Sequence, residues 1–308
     1  MIKRLLNCTA SDIAAMDKLS LLEAIARSEG RVMACETIGA VAPYLETVTN
    51  AEFAAGMGAD ILVLNMFDVN NPDIQALPNV DKQDTIRELK RLTGKIIAVN
   101  NLEPAEYSSS ILQNEGWPLT DGRIATAQNA RTLSTMGADM IILTGNPGNG
   151  IKNEAIFQSL KSISQESGSK IILAAGKMHA AGVLTESGES ITTTRDIDAF
   201  ISAGADIILL PAPGTVPGLT LDYVHSLIKH IHKSRALAMT TIGTSQEGAD
   251  RDTIRRIALL CKMAGTDIHH IGDSGYAGMA LPENIMAYSI TIRGVRHTYR
   301  NMTQSINR

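Results

Sequence analysis

The pattern of apolar and polar positions changes character at Arg31. Before it, Ile13, Met16, Leu21, Leu22 and Ile25 recur at roughly helical spacing behind a candidate N-cap, Ser11, and Gly30 is placed to stop the segment. This predicts an amphipathic helix within residues 1–30. After Arg31 the chain breaks into short runs rich in Ile, Val and Leu, over residues 32–37, 61–66, 96–100, 140–144, 171–175, 207–210, 237–241 and 268–272. Each run is too short for a helix and apolar enough for a parallel strand buried on both faces. The intervening segments are long enough for a crossover helix each. Eight such units in succession predict an α/β fold closed into a (β/α)8 barrel, with residues 1–30 as an additional N-terminal helical extension and 31–308 as one barrel domain.

An internal repeat supports the closed barrel. Gly58-Ala59-Asp60-Ile61, Gly137-Ala138-Asp139-Met140, Gly204-Ala205-Asp206-Ile207 and Gly265-Thr266-Asp267-Ile268 are versions of one helix-to-strand connector, and they open the second, fourth, sixth and eighth strands. The third and fifth strands share another opening, Gly94-Lys95-Ile96-Ile97 and Ser169-Lys170-Ile171-Ile172. Similarity at every second strand is what a barrel of (βα)2 units shows. Gly-Ala-Asp also occurs as a connector in open α/β sheets. The absence of a Gly-x-Gly-x-x-Gly after the first strand argues for the barrel over that alternative.

Composition narrows the function classes. A net charge of −4 gives no electrostatic reason to expect nucleic acid or a membrane surface as partner. No apolar run reaches the roughly 18 residues of a membrane span. The three cysteines, Cys8, Cys35 and Cys261, lack metal-type spacing, and the first residues do not read as a secretory leader. A reducing, cytoplasmic setting is therefore expected.

Through this architecture, and through the glycine-rich ends of its seventh and eighth strands, the chain resembles the phosphate-binding (β/α)8-barrel enzymes over residues 31–290. The resemblance implies an active site at the carboxyl ends of the strands, with phosphate held by the last two loops. Gly243, Thr244 and Ser245 after strand seven, and Gly272, Ser274 and Gly275 after strand eight, are the expected phosphate-binding residues; tight turns alone are the structural alternative. Asp273 opposes a bare phosphate and better suits a sugar hydroxyl or a cation. The strand-four loop over residues 145–150, containing Asn146, is a rival anion cradle. Asn65, Asn100, Thr144, Asn146 and Asp273 are the expected substrate contacts.

Four residues carry the expected acid–base chemistry. Lys177 follows strand five at the mouth, where it would act as base, imine-forming amine or phosphate contact. Schiff-base aldolases of the resembled class carry that lysine one strand later, where this chain has Pro211. His269 and His270 must face opposite sides of their strand, and His270 is the expected inward one. Glu36 and Glu103 end strands one and three. With Asp68 they would also be the ligands if a Mg2+ cofactor were used, although no metal-type spacing supports one and no cofactor is expected. The long loops over 68–84 and 104–123, the second with Trp117, read as lids or as subunit contacts in a homo-oligomer.

These features point to a lyase or isomerase acting on a small phosphorylated metabolite, a sugar phosphate above all, by aldol-type lysis, isomerisation or epimerisation. The alternatives are a Mg2+-dependent lyase or mutase of a phosphorylated or carboxylated substrate, and a non-catalytic metabolite-binding barrel.

Overall fold

The computed structural model describes residues 2–100, 103–104, 120–145, 152–179 and 184–308, with backbone only at Glu103, Pro104, Glu186 and Tyr276. Eight parallel strands close into one barrel: β1 (Val32–Ile38), β2 (Ile61–Asn65), β3 (Ile96–Asn100), β4 (Met140–Thr144), β5 (Ile172–Gly176), β6 (Ile207–Pro211), β7 (Leu237–Ile242) and β8 (Ile268–Ile271). They pair in sequence order, and β8 returns to β1 in register Val32 to Ile268. The expected strand boundaries hold to within one residue at each end.

Helices α1 (Ala10–Ala14) and α2 (Lys18–Ala26) precede β1. The crossovers are α3 (Asn50–Gly56), α4 (Thr85–Thr93), α5 (Ala127–Met136), α6 (Asn153–Ser167), α7 (Thr194–Ser202), α8 (Leu221–Lys233) and α9 (Arg251–Ala264). The last helix, α10 (Pro282–Thr303), begins on its proline and is interrupted at Gly294. The N-terminal segment is thus two short helices instead of one. Thr9, not Ser11, caps α1 through a reciprocal box with Asp12, and Asp17 starts the second helix by capping Ser20. Leu5, Leu21, Ala24 and Ile25 pack on the apolar cluster inside the barrel, so this segment plugs its amino end.

The repeated connector has a clear structural role. Gly58, Gly137, Gly204 and Gly265 take φ between +99° and +110°, a backbone that turns a helix end into a strand start. The aspartate two residues later reaches back to the preceding strand. Asp60 accepts from Met33 N at 2.8 Å, Asp139 from Ile97 N at 2.9 Å, Asp206 from Leu173 N at 2.8 Å and Asp267 from Ala238 N at 2.8 Å. Each also meets a basic side chain: Arg293 at 2.5 Å, Lys90 at 2.5 Å, Lys18 at 2.7 Å and His232 at 2.7 Å, respectively. The aspartates clamp odd strands to even ones at the amino end. They are a stability device.

Alternation along the strands sets the remaining geometry. The lower inward positions, Val32 and Ala34, Ile61 and Val63, Ile96 and Ala98 and their equivalents around the ring, form one apolar cluster. One step further toward the carboxyl end, the same face presents Glu36, Asn65, Asn100, Thr144, Gly176, Pro211, Thr241 and His270. The interior turns polar only at the mouth.

Candidate active site

Glu36, Asn100 and His270 form the centre of that polar layer. All three are almost fully buried, His270 completely. The Asn100 amide donates to Glu36 Oε1, and His270 Nε2 lies 3.7 Å from Glu36 Oε2. Among the described residues neither ring nitrogen of His270 has a hydrogen-bond partner, nor has Asn100 Oδ1 or Thr144 Oγ1. Burial raises the Glu36 carboxyl well above its usual range. The charge of Asp273 and, less strongly, that of Glu247 add to this, against the opposing Asn100 bond. Burial alone pushes His270 down to about 3. Burial thus favours the protonated form of the Glu36 carboxyl and the neutral form of the His270 imidazole beside it, an arrangement of one donor and one acceptor.

Two further carboxylates stand over this pair. Asp273, just past β8, accepts from the Asn65 amide at 2.6 Å, a bridge from β8 to β2 across the top of β1. Glu247 sits in a single 3-10 turn after β7 (Gln246–Gly248) and is buried, with Oε2 unpartnered among the described residues. Burial raises its pKa, and the charge of Asp273 adds to the effect. The turn is braced from behind by the buried Asn284, whose amide donates to Glu247 O at 2.9 Å and Ala249 O at 2.7 Å. It is entered through Ser245 in the left-handed region, φ 76°. A buried carboxylate oxygen without a partner, on a strained turn with its own brace, has the physical character of a functional group.

Lys177 lies elsewhere. Ile172, Ala174 and Met178 belong to the interior cluster, so the intervening residues of β5 and its end face the helix layer. Gly176 holds φ 154°, and a Cβ there would sit 2.3 Å from Leu209 O, which fixes this crossing as glycine's. The Lys177 side chain, only 2% exposed, lines a groove of about 700 Å3 between the amino ends of α6 and α7, together with Lys152 and Arg195.

Over residues 6–308 the chain matches the family described as "Domain of unknown function (DUF7916)". It belongs to the DUF7916 family. A stretch of 89 residues in this DUF7916 chain is 37% identical to a Haemophilus influenzae protein described as "Putative N-acetylmannosamine-6-phosphate 2-epimerase". That stretch is 29% of the chain and 33% of the other protein, so the chain spans about a third of the length of the curated relative it matches. Among solved structures, a Schiff-base-forming fructose-1,6-bisphosphate aldolase aligns with a TM-score of 0.57 at 12% identity, covering 89% of this chain and 99% of that one. An archaeal fructose 1,6-bisphosphate aldolase aligns at 0.56 and 13% identity, covering 88% and 98%. At these identities the likeness is one of fold.

Within the DUF7916 barrel, the residues expected from sequence are placed as follows. Glu36, Asn100, Thr144 and His270 share the inward layer, with the Asn65–Asp273 pair above it. His269 points outward to Gly30 O at 3.1 Å and Tyr288 Oη at 3.2 Å, a core histidine. Asp68 is not joined to Glu36: its carboxylate closes its own turn onto Asn70 N at 2.7 Å and takes the Thr120 hydroxyl at 2.6 Å. Glu103 contributes backbone to a two-residue strand with Ile124, and its side chain lies outside the described residues, as do Asn146 and Trp117. Among the described residues no three Asp, Glu, His or Cys side chains converge as metal ligands.

The β7 and β8 loops do meet. A Cβ on Gly272 would come within 2.8 Å of Ile242 O and 3.7 Å of the Gly243 Cα. The donors there are partly committed: Asp273 takes Gly275 N at 2.8 Å, and the Thr244 hydroxyl is shared between Thr215 O at 2.8 Å and Gln246 Oε1 at 2.5 Å. Ser274 Oγ is buried and, among the described residues, unpartnered. Sequence reading passed over Glu247, which stands in the same loop.

The three cysteines are free and buried, and among the described residues no helix is long and apolar enough to cross a membrane.

Proposed function

We propose that this protein is an isomerase or lyase that moves a proton next to the carbonyl of a small phosphorylated sugar. The observation that carries the reading is the Glu36–Asn100–His270 cluster, buried in the inward layer at the carboxyl end of the barrel with its imidazole nitrogens unpartnered among the described residues. The described partners of a substrate would be an acid whose burial favours its protonated form and a base whose burial favours its neutral form. His270 takes the proton from carbon, Glu36 gives one to the developing enolate oxygen, and Asn100 holds the Glu36 carboxyl in place. Return of the proton to the other face gives an epimer, to the neighbouring carbon an isomer; in aldol lysis the base takes the β-hydroxyl proton instead, and cleavage of the carbon–carbon bond leaves the enolate that is then protonated. Asp273, fixed by Asn65, and Glu247 are suited to sugar hydroxyls, which donate to carboxylates. The partial relative in Haemophilus influenzae, named as acting on a 6-phosphorylated amino sugar, supports the substrate class. With Pro211 at the end of β6 and Lys177 facing the helix layer, the described residues favour enolate chemistry over an imine.

The test is a panel of phosphorylated aldoses, ketoses and 2-acetamido sugars, each beside its unphosphorylated counterpart, followed by proton and phosphorus NMR. One phosphorylated member should be converted at least roughly a hundredfold faster than its counterpart, as expected when binding energy from a remote group is used at the reacting centre. Conversion of none, with the protein folded, would refute the reading.

A further inference from the structure

The glycine-rich junction of the β7 and β8 loops, where the resemblance to phosphate-binding barrels expects the anion, is furnished with acids by the chain itself. Glu247 stands on the β7 side and Asp273 on the β8 side. Donors expected for phosphate already serve them. Gly275 N donates to Asp273 Oδ1 at 2.8 Å. Burial raises the Glu247 carboxyl, and the backbone N–H groups of Glu247 itself and of Ser245 oppose the rise by favouring its charged form. The Thr244 hydroxyl is taken by Thr215 O at 2.8 Å and Gln246 Oε1 at 2.5 Å.

What the junction keeps is acceptor capacity. Glu247 is buried, and among the described residues its Oε2 has no partner. Asp273 holds Gly275 N on one oxygen and the Asn65 amide on the other at 2.6 Å, and each oxygen can accept a second bond. These acceptors lie within reach of the buried cluster. The Glu247 carboxyl carbon is 3.7 Å from where a Cβ on Gly272 would stand, and Gly272 follows His270 by two residues at the exit of β8. After burial itself, the charges of Asp273 and then Glu247 are what raise the Glu36 carboxyl. A phosphate dianion brought to this junction meets two acids and finds backbone donors in use. A hydroxyl meets open acceptors.

We propose that Glu247 and Asp273 are the specificity-determining pair of the site: they receive hydroxyl groups at one end of the substrate and exclude a phosphate from that end. The substrate class is then a sugar monophosphate whose other end is an uncharged polyol, and not a bisphosphate. That the ligand is a phosphorylated sugar rests on the function proposed above. The exclusion of an anion from the junction rests on the geometry of the two loops alone.

The test uses hexitols, which have no carbonyl and are not converted: one with phosphate on a single terminal carbon and one with phosphate on both. Each is titrated into the whole protein by calorimetry, as wild type, Glu247→Gln and Asp273→Asn. Wild type should bind the monophosphate at least roughly tenfold more tightly than the bisphosphate, and each variant should narrow that ratio by about threefold or more. Both substitutions keep side-chain size and stand on different loops, so a folding failure in one leaves the other to decide. A bisphosphate bound by wild type as tightly as the monophosphate would overturn the proposal. So would an unchanged ratio in the folded variants, or no saturable binding of either hexitol. If the ratios behave as expected while no sugar phosphate is converted, the enzymatic reading fails and the specificity stands. Conversion of a sugar bisphosphate as fast as its monophosphate would leave the enzymatic reading intact and overturn this one.

Discussion

At the amino end of the barrel, Asp60, Asp139, Asp206 and Asp267 each accept a strand N–H and meet a basic side chain. At the carboxyl end, among the described residues, Glu36 has one amide donor, one oxygen of Glu247 has no partner, and the His270 imidazole has none. Both ends hold carboxylates that are at least half-buried, so residue type does not separate structure from function here; satisfaction of hydrogen-bonding capacity does. An acid whose lone pairs are filled by the fold holds the fold together. An acid left short of donors, at a cost of roughly 1–3 kcal/mol per unsatisfied group, keeps that capacity for another molecule.

The largest effect that would break this contrast is on turnover. Glu36→Gln should lower kcat by about a thousandfold, the scale of a lost general acid, while thermal stability stays level or rises, because burial already disfavours a charge at this site. A parallel loss of stability and activity would show Glu36 to be structural.

Asp60→Ala should do the reverse. It strips the fully buried Arg293 side chain of its carboxylate and Asn301 of its acceptor, so unfolding stability should drop by about 3 kcal/mol in urea titrations, with kcat/KM per folded molecule unchanged.

The pH dependence sharpens the same comparison, and the two central residues should move in opposite directions. Glu36 has a folded pKa above its unfolded value, so its contribution is fully present in acid and is lost as pH rises through the folded value. The stability gained by Glu36→Gln over wild type should therefore shrink as pH falls from 7.5 to about 4.5, by up to about 1.4 kcal/mol per pH unit. His270, pushed to about 3, contributes stability above its unfolded value near 6.5 and loses it as pH falls between the two. His270→Asn should therefore gain on wild type through that window. Chemical denaturation at half-unit pH steps measures both; slopes of the same sign would contradict the assignment.

A smaller effect attaches to Asn284, whose side chain braces the Glu247 turn. Asn284→Ala should lower kcat/KM by roughly tenfold and stability by about 1 kcal/mol, with Asn284→Asp restoring neither, since an ionised carboxylate offers no donor to the two carbonyls.

Much of this molecule was legible before its coordinates. Strand runs and the Gly-Ala-Asp repeat locate all eight strands, because buried parallel strands are continuous apolar runs and their connectors repeat. Alternation put His269 and His270 on opposite faces, since both lie inside a regular strand, and the likeness of the strand opening to that of other barrels pointed to His270 as the inward one, as it is. The same rule does not reach Lys177, one residue past the strand and behind a glycine at φ 154°, and its placement in the helix layer depended on which residue of the Ile171-Ile172 pair opens β5. Glu247 escaped for a related reason: a 3-10 turn has no period to mark which side chain turns inward, and the signal, Asn284 behind the turn, is 37 residues away. The two-helix plug at the amino end was missed because apolar spacing shows that a face is buried and not what buries it.

The most direct test of the central claim is exchange of the carbon-bound proton with solvent. Wild-type protein should incorporate deuterium from D2O at the carbon next to the carbonyl of its phosphorylated substrate; His270→Asn should abolish incorporation at saturating substrate, and Lys177→Met should retain it there. Undiminished exchange in His270→Asn, with none in Lys177→Met, would contradict the account and return the proton to the lysine.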